Sequence, residues 1–399
     1  MRRVRFFQVA VSAMIAAAAV SIPAAASAQT GMVRPAGGDG IAGSYVVVFK
    51  PQTGIAATTA SALTARYGGT ATSVWQHALH GFALRGSAET AAKIAGDPRV
   101  AYVQQDEVVK TATTQSPTPS WGLDRIDQRT YPLDNSYTFS TTASTVNAYV
   151  IDTGIRTTHV DFGGRAVFAA NFAGDGVNTD CNGHGTHVAG TVGGANFGVA
   201  KGVRLFAVKV LDCAGSGSIS GVIGGVNWIA QHAVHPAVAN MSLSASASQP
   251  LDDAVTGAIN TGVTFTVAAG NSNANACLYS PARAAFALTV SATTNGAGNE
   301  RFAAGIDPRL GPANFGTCTV VFAPGGNIPS DWSTSDTATN TMSGTSMAAP
   351  HVAGGVALFL SAHPDATPTQ VTSAIVGAAT PNAVTNAGPG SPNLLLFTG

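Results

Sequence analysis

From Trp121 onward, short and almost wholly apolar runs alternate with longer segments of helical spacing, and this alternation restricts the chain more than any other feature. The strand candidates are Val146 to Ile151, Leu205 to Leu211, Ala237 to Leu243, Val263 to Ala268 and Ala287 to Val290. Between and after them, Ser218 to Gln231, Leu251 to Asn260 and Ser346 to Leu360 carry a helical period. Strands apolar on both faces have to be covered on both faces, and helices that alternate with them supply the cover. The pattern predicts a doubly wound α/β domain, a mainly parallel sheet with helices on both faces.

A smaller unit precedes it. Gly31 to Gly43 has the composition of a flexible lead-in. Tyr45 to Lys50, Gly81 to Leu84 and Val100 to Val109 then read as strands, with helices over Ala56 to Tyr67 and Ala88 to Ile94, which makes a small α+β unit. The Thr, Ser and Pro of Thr111 to Pro119 are those of an exposed linker suited to proteolytic cutting.

The first residues read as an export signal. Arg2, Arg3 and Arg5 open the chain, Val9 to Val20 is almost wholly apolar, and Ala26-Ser27-Ala28 offers the small residues that a signal peptidase reads. Cleavage is expected after Ala28, because the apolar run is shorter than the roughly 20 residues that span a bilayer. No later segment reads as long and apolar enough to span one. The four cysteines, Cys181, Cys213, Cys277 and Cys318, form an even set in an exported chain, so two disulfides are expected, with three pairings open. Only 10% of residues are charged and the two signs cancel at 20 each, which argues against nucleic acid or an anionic membrane as a partner.

Three segments place a reactive side chain where a strand ends or a helix begins. Val150-Ile151-Asp152-Thr153-Gly154 ends an apolar strand in a carboxylate and a turn, while Asn182-Gly183-His184-Gly185-Thr186-His187 and Ser343-Gly344-Thr345-Ser346-Met347-Ala348 each lead into a helix of small residues. In an open parallel sheet such ends share the carboxyl edge, where ligands bind. Brought together there, His184 takes the hydroxyl proton of Ser346 and Asp152 fixes the imidazole. Asn271, after Ala268-Ala269-Gly270, is placed to give a side-chain donor to an oxyanion, beside the backbone N–H groups at the start of the Ser346 helix. Taken singly, an Asp at a strand end is usually a turn residue, a His near a helix start structural, and a Gly-Thr-Ser a cap. Their order and context together favour catalysis; His187 and His351 read as packed rather than reactive.

These segments resemble the subtilisin-like serine proteases, and from Ala112 onward the chain is most similar to the proteinase K branch, particularly its aqualysin-type enzymes. Trp121-Gly122-Leu123-Asp124-Arg125-Ile126-Asp127-Gln128, Tyr279-Ser280-Pro281-Ala282 and Thr334-Ser335-Asp336-Thr337-Ala338 carry the same resemblance. It implies a secreted serine endopeptidase, with 1–28 a signal peptide, 29–111 an inhibitory propeptide folded over about 44–109, and 112–399 the peptidase. The propeptide would serve as intramolecular inhibitor and folding chaperone and be cut off autocatalytically near Thr111 and Ala112. The resemblance pairs Cys181 with Cys213 and Cys277 with Cys318. It lays protein and peptide substrates between Gly215-Ser216-Gly217 and Ser242-Leu243-Ser244 as an added strand. A first specificity pocket lined by Ala268, Ala269 and Gly270 would favour apolar or aromatic residues before the scissile bond. No cofactor is implied for catalysis, and nothing requires more than a monomer.

The chain departs from that branch at three places. Ser244-Ala245 stands where the branch has Gly-Gly, which reshapes the expected groove. The Asp that would hold a structural calcium falls near Ala297, whose side chain has no oxygen, with Asn299 and Glu300 close by. Gly305 to Pro312 reads as an insertion. Two other classes fit parts of the sequence: a zinc enzyme using Cys181, His184 and His187 at three-residue intervals, and a silent peptide-binding protein that keeps the groove. The first leaves Ser346 and Asn271 idle, and the second leaves a complete Asp, His and Ser set unexplained.

Overall fold

The computed structural model describes residues 32–36, 40–107, 113–295 and 307–399. The signal segment, the expected cut near Thr111 and Ala112, and Ala297, Asn299 and Glu300 lie outside the described residues. The chain divides into two compact units, the first ending at Val108 and the second beginning at Val109.

In the first unit, strands Val33–Arg34, Val100–Glu107, Gly40–Phe49, Gly81–Arg85 and Thr70–Trp75 lie side by side in that order. With helices Ala56–Tyr67 and Ala88–Ala95 between them in the chain, the last four strands have the split βαβ order of ferredoxin-like domains. Val47, Phe82, Leu84 and Val103 from the sheet meet Leu63 and Ile94 from the helices in one core. The described residues of the expected flexible lead-in are largely strand, since Gly40 to Gly43 opens the long strand and Val33 and Arg34 pair in parallel with Val103 and Gln104.

The second unit is built on a sheet of nine described strands. From one edge they run Ala166–Asn171, Arg204–Lys209, Asn147–Asp152, Ala237–Met241, Thr264–Ala268, Leu288–Thr293 and Val321–Pro324, all parallel, followed by Leu394–Leu395 and an antiparallel Thr380–Pro381. Helices His184–Gly193 and Thr345–Ala362 pack in the core on one face, and Ile219–His232 and Gln249–Ile259 in the core on the other. From Asn147–Asp152 the chain passes to the edge strand Ala166–Asn171, returns to Arg204–Lys209 on that same side, and then crosses to the other side at Ala237–Met241. A crevice therefore opens between Asn147–Asp152 and Ala237–Met241 at their carboxyl ends, the place where such sheets bind ligands.

Small residues let this packing close. A methyl group on Gly354 would clash with Val199 Cβ, and one on Gly185 would meet the carbonyl of Gly154. Helix Thr345–Ala362 corrects one expectation, because by length and composition it could cross a membrane. It is mostly buried among Val290, Ala292, Val238 and Ala268, as the central helix of a core.

The linker reading also changes. Thr113–Gln115 is a strand paired antiparallel with Tyr137–Phe139, so a composition that favours turns is overruled by an available partner. Within the expected insertion, Asp307 and Pro308 pair with Val384 and Thr385. Asp307 is buried, and its carboxylate accepts from Arg125 Nε at 3.0 Å, Arg125 Nη2 at 2.9 Å and Tyr131 Oη at 2.8 Å. A buried ion pair that loses one member leaves the other uncompensated. Asp307→Ala is therefore expected to lower unfolding stability by about 3–5 kcal/mol, measured by denaturant unfolding in a Ser346→Ala background that prevents self-digestion.

Candidate active site

Asp152 is the last residue of its strand and has no exposed surface. Its Oδ1 accepts from Thr153 N and from His184 Nδ1, each at 2.7 Å. His184 is the first residue of helix His184–Gly193, and the start of that helix is held by one carboxylate. Asp180 Oδ1 accepts from Gly183 N, Asn182 N and the Thr153 hydroxyl, while Oδ2 accepts from the N–H and hydroxyl of Thr186. Negative charge at a helix start is favourable, and here it fixes the imidazole's approach to Asp152. Gly183 has φ +112°, and a side chain there would strike the Trp332 ring, so the Gly-His-Gly order has a steric cause.

Burial works against a charged His184, but the Asp152 charge, the bond to Asp152 and the Asp180 charge outweigh it. The imidazole pKa is raised above its ordinary 6.5. His187 and His351 show the opposite: burial pulls each down to about 4, and they bind the carbonyls of Ile328 and Met347. Both remain neutral packing residues.

Ser346 is the second residue of helix Thr345–Ala362. Its hydroxyl donates to the carbonyl of Ser242 at 3.2 Å in this structure. The return contact runs from Ser242 Oγ to the Ser346 carbonyl at 2.8 Å, and Asn240 and Thr266 extend it into the sheet. Asn271 accepts at Oδ1 from the N–H of Thr345 at 2.9 Å and its hydroxyl at 3.1 Å. With the carbonyl end so occupied, the Asn271 amide nitrogen is the end free to donate.

His184, Ser346 and Asn271 line one cleft of about 560 Å³. Gly215, Ser216 and Gly217 form one rim, Ser242, Leu243, Ser244 and Ala245 the other, and Ala268 and Gly270 lie deeper. Asp152 stands behind His184, fully buried. Ala269 does not reach the cleft, because alternation along the strand end turns it into a separate cluster with Ala276 and Ala282. The lining also includes Thr153, Asn182, Leu211, Ala214 and Met342, which the sequence reading did not single out. Asn182 and Thr153 flank residues that it did, so adjacency was the available signal.

The disulfides are Cys181–Cys213 and Cys277–Cys318. The first ties the loop before His184 to the segment that forms the Gly215 rim. It also rules out the zinc arrangement, since Cys181 is bonded to Cys213, His184 to Asp152, and His187 faces Ile328. Asp175 approaches the same two sulfurs, but neither is available to a metal. Burial above all raises the carboxyls of Asp124 and Asp127 to about 6, with Asp134 adding repulsion to both. Asp127 Oδ1 is buried without a hydrogen-bond partner.

The sequence matches the subtilase family over residues 145–395 and the peptidase inhibitor I9 family over residues 44–112. It is 54% identical over 326 residues to an extracellular serine proteinase of Thermus sp., covering 82% of this chain and 77% of that one. It is 48% identical over 332 residues to the alkaline serine exoprotease A of Vibrio alginolyticus, covering 82% of this chain and 60% of that longer relative. Among solved structures, a cold-adapted subtilisin-like serine proteinase aligns with TM-score 0.66 and 48% identity, covering 71% of this chain and 99% of that one. A buried Asp bonded to a His in the cleft, a serine at a helix start in the same cleft, and these matches over both units agree: the chain belongs to the subtilase family, as a secreted serine endopeptidase with an I9-type inhibitor propeptide.

Proposed function

We propose that Ser346 attacks the scissile carbonyl of a protein or peptide, with His184 as general base and then general acid. Asp152 holds the imidazole and stabilises its charged form, and the Asn271 amide with backbone N–H groups receives the oxyanion. An acyl-enzyme forms on Ser346 Oγ as the amine leaves with the His184 proton; water then restores the serine. The single observation that supports this reading most is the 2.7 Å contact between His184 Nδ1 and Asp152 Oδ1, which leaves Nε2 for the serine. Labelling tests it: a serine-directed phosphonyl reagent should add one equivalent of mass to the peptide containing Ser346 and abolish turnover. Inhibition by a chelator without such labelling would overturn it.

The substrate would lie extended between the Gly215–Gly217 and Ser242–Ser244 rims, bonded mainly through its main chain. The pocket beside Ala268 and Gly270 would take an apolar or aromatic residue, within limits set by Ser244-Ala245. Chromogenic peptides differing only before the scissile bond check this preference. The processed enzyme is proposed to act as a monomer, with its propeptide released by self-cleavage near Ala112, which N-terminal sequencing of the mature chain locates.

The raised His184 pKa has a kinetic consequence. The base must be neutral to accept a proton, so activity is lost as pH falls below the His184 pKa and recovers above it. The acidic limb of kcat/KM is expected above pH 6.5. Asp180→Asn should move it downward, because the Asp180 charge favours the imidazolium. A pH–rate profile on one peptide measures both.

A further inference from the structure

Lys209 has no exposed surface, although it ends a strand in an otherwise apolar run. Its Nζ donates to the Thr153 carbonyl at 2.7 Å and the Leu211 carbonyl at 2.8 Å, touches Cys181 Sγ at 3.9 Å, and forms an ion pair with Asp175 Oδ2 at 3.2 Å. In the sheet, Lys209 is the register partner of Asp152 itself. The Asp152 carbonyl in turn accepts from Val210 N at 2.9 Å and Leu211 N at 3.2 Å. The ammonium thus bridges the chain just after Asp152 to the chain just after Lys209, at the root of the cleft.

Thr153 is the residue through which this reaches the chemistry. Its N–H donates to Asp152 Oδ1, its hydroxyl donates to Asp180 Oδ1 and accepts from Gly185 N, and its carbonyl accepts from Lys209. Every polar group of Thr153 is therefore used, and three of the four contacts lead to Asp152 or to the helix start that carries His184. From this geometry we infer that Lys209, paired with Asp175, is a positioning residue for the catalytic reaction, which holds the Asp152 carboxylate in line with His184 through Thr153. The inference rests on the catalytic reading of Asp152 and His184 given above.

The cation has to be accommodated beside groups that also act on His184. Those facing the imidazole are Asp152 from the central strand, Asp180 from the preceding loop and His187 from its own helix. Lys209 and Asp175 add one charge of each sign farther away, and removing either unbalances the pair. The two removals should then act on His184 in opposite directions, which a loss of packing alone would not do.

The test uses the full precursor and compares Lys209→Met, which keeps the length of the stem, with Asp175→Asn at the less buried end. Lys209→Met is expected to lower kcat by about ten- to a hundredfold with KM within about twofold, because misplacement of the reacting groups affects the barrier more than binding. Its acidic limb should move up by about 0.3 pH units, and that of Asp175→Asn should move down by about as much. Wild-type kcat in folded Lys209→Met, or limbs that stay fixed or move the same way, would overturn the inference. If Lys209→Met yields no folded enzyme, the Asp175→Asn limb decides alone: a downward shift supports the proposal, and no shift sinks it. Undiminished turnover in Ser346→Ala would instead remove the reading on which it rests.

Discussion

Replacing Ser346 by alanine is expected to leave a folded precursor that neither cleaves peptides nor removes its own propeptide. Ser346 sits in a helix whose neighbours Met347, Ala348 and Ala349 are buried, whereas its own side chain reaches the cleft. Loss of one oxygen there removes a single donor to the Ser242 carbonyl and should alter stability little. The chemistry has no substitute, because neither Thr345 nor Ser242 can take its place: the Thr345 hydroxyl is engaged with Asn271, and Ser242 Oγ with the Ser346 carbonyl. The expected fall in kcat is about 10⁶-fold, or about 8 kcal/mol, a magnitude known from subtilisin itself rather than obtained from this geometry. Side-by-side expression of both precursors, with chain mass and peptide turnover followed over time, reads the result. A Ser346→Ala chain that matures and turns over like the parent would defeat the serine mechanism outright.

That outcome could be anticipated from the sequence because the reactive residues sit in local signals. Asp152 ends a run of buried apolar residues, and His184 and Ser346 open helices of Gly, Ala and Val, so each position follows from a period change that a few residues reveal. Helix Ala56–Tyr67 was legible to the residue for the same reason. Elements whose structure depends on distant partners were not. Strand Thr70–Trp75 is mostly exposed and shows no alternation, and Val321–Pro324 ends in a proline, which cannot donate to the ladder and so weakens a strand reading. Ala269 follows Ala268 as one more small residue, and only the direction of the strand end separates the one that lines the cleft from the one that does not. Asp307 lies in a Gly- and Pro-rich stretch, 182 positions from the Arg125 that explains it. Lys209 did leave a mark, a cation at the end of the mostly buried stretch Leu205 to Val208, but Thr153 and Asp175, which explain it, come from other segments.

Asn271→Ala is expected to separate binding from chemistry. The Asn271 side chain anchors its oxygen on Thr345, so the amide nitrogen is held ready before any substrate arrives. A fixed donor costs no reorganisation when charge develops, and it acts on the oxyanion far more than on the neutral carbonyl of bound substrate. Removing it should therefore lower kcat by about 10²–10³-fold, or about 3–4 kcal/mol, and change KM little; this range too was established on subtilisin. The same substitution also frees the Thr345 N–H and hydroxyl, which could let the start of the Ser346 helix relax. Asn271→Asp distinguishes the two causes. The carboxylate keeps an acceptor for Thr345 but offers the oxyanion a negative charge in place of a donor, so helix anchoring survives while transition-state stabilisation is lost. If activity falls in both variants, the amide nitrogen is the functional atom. If Asn271→Asp retains activity near that of the parent, anchoring of Thr345 is what Asn271 contributes, and the oxyanion is held by backbone N–H groups alone.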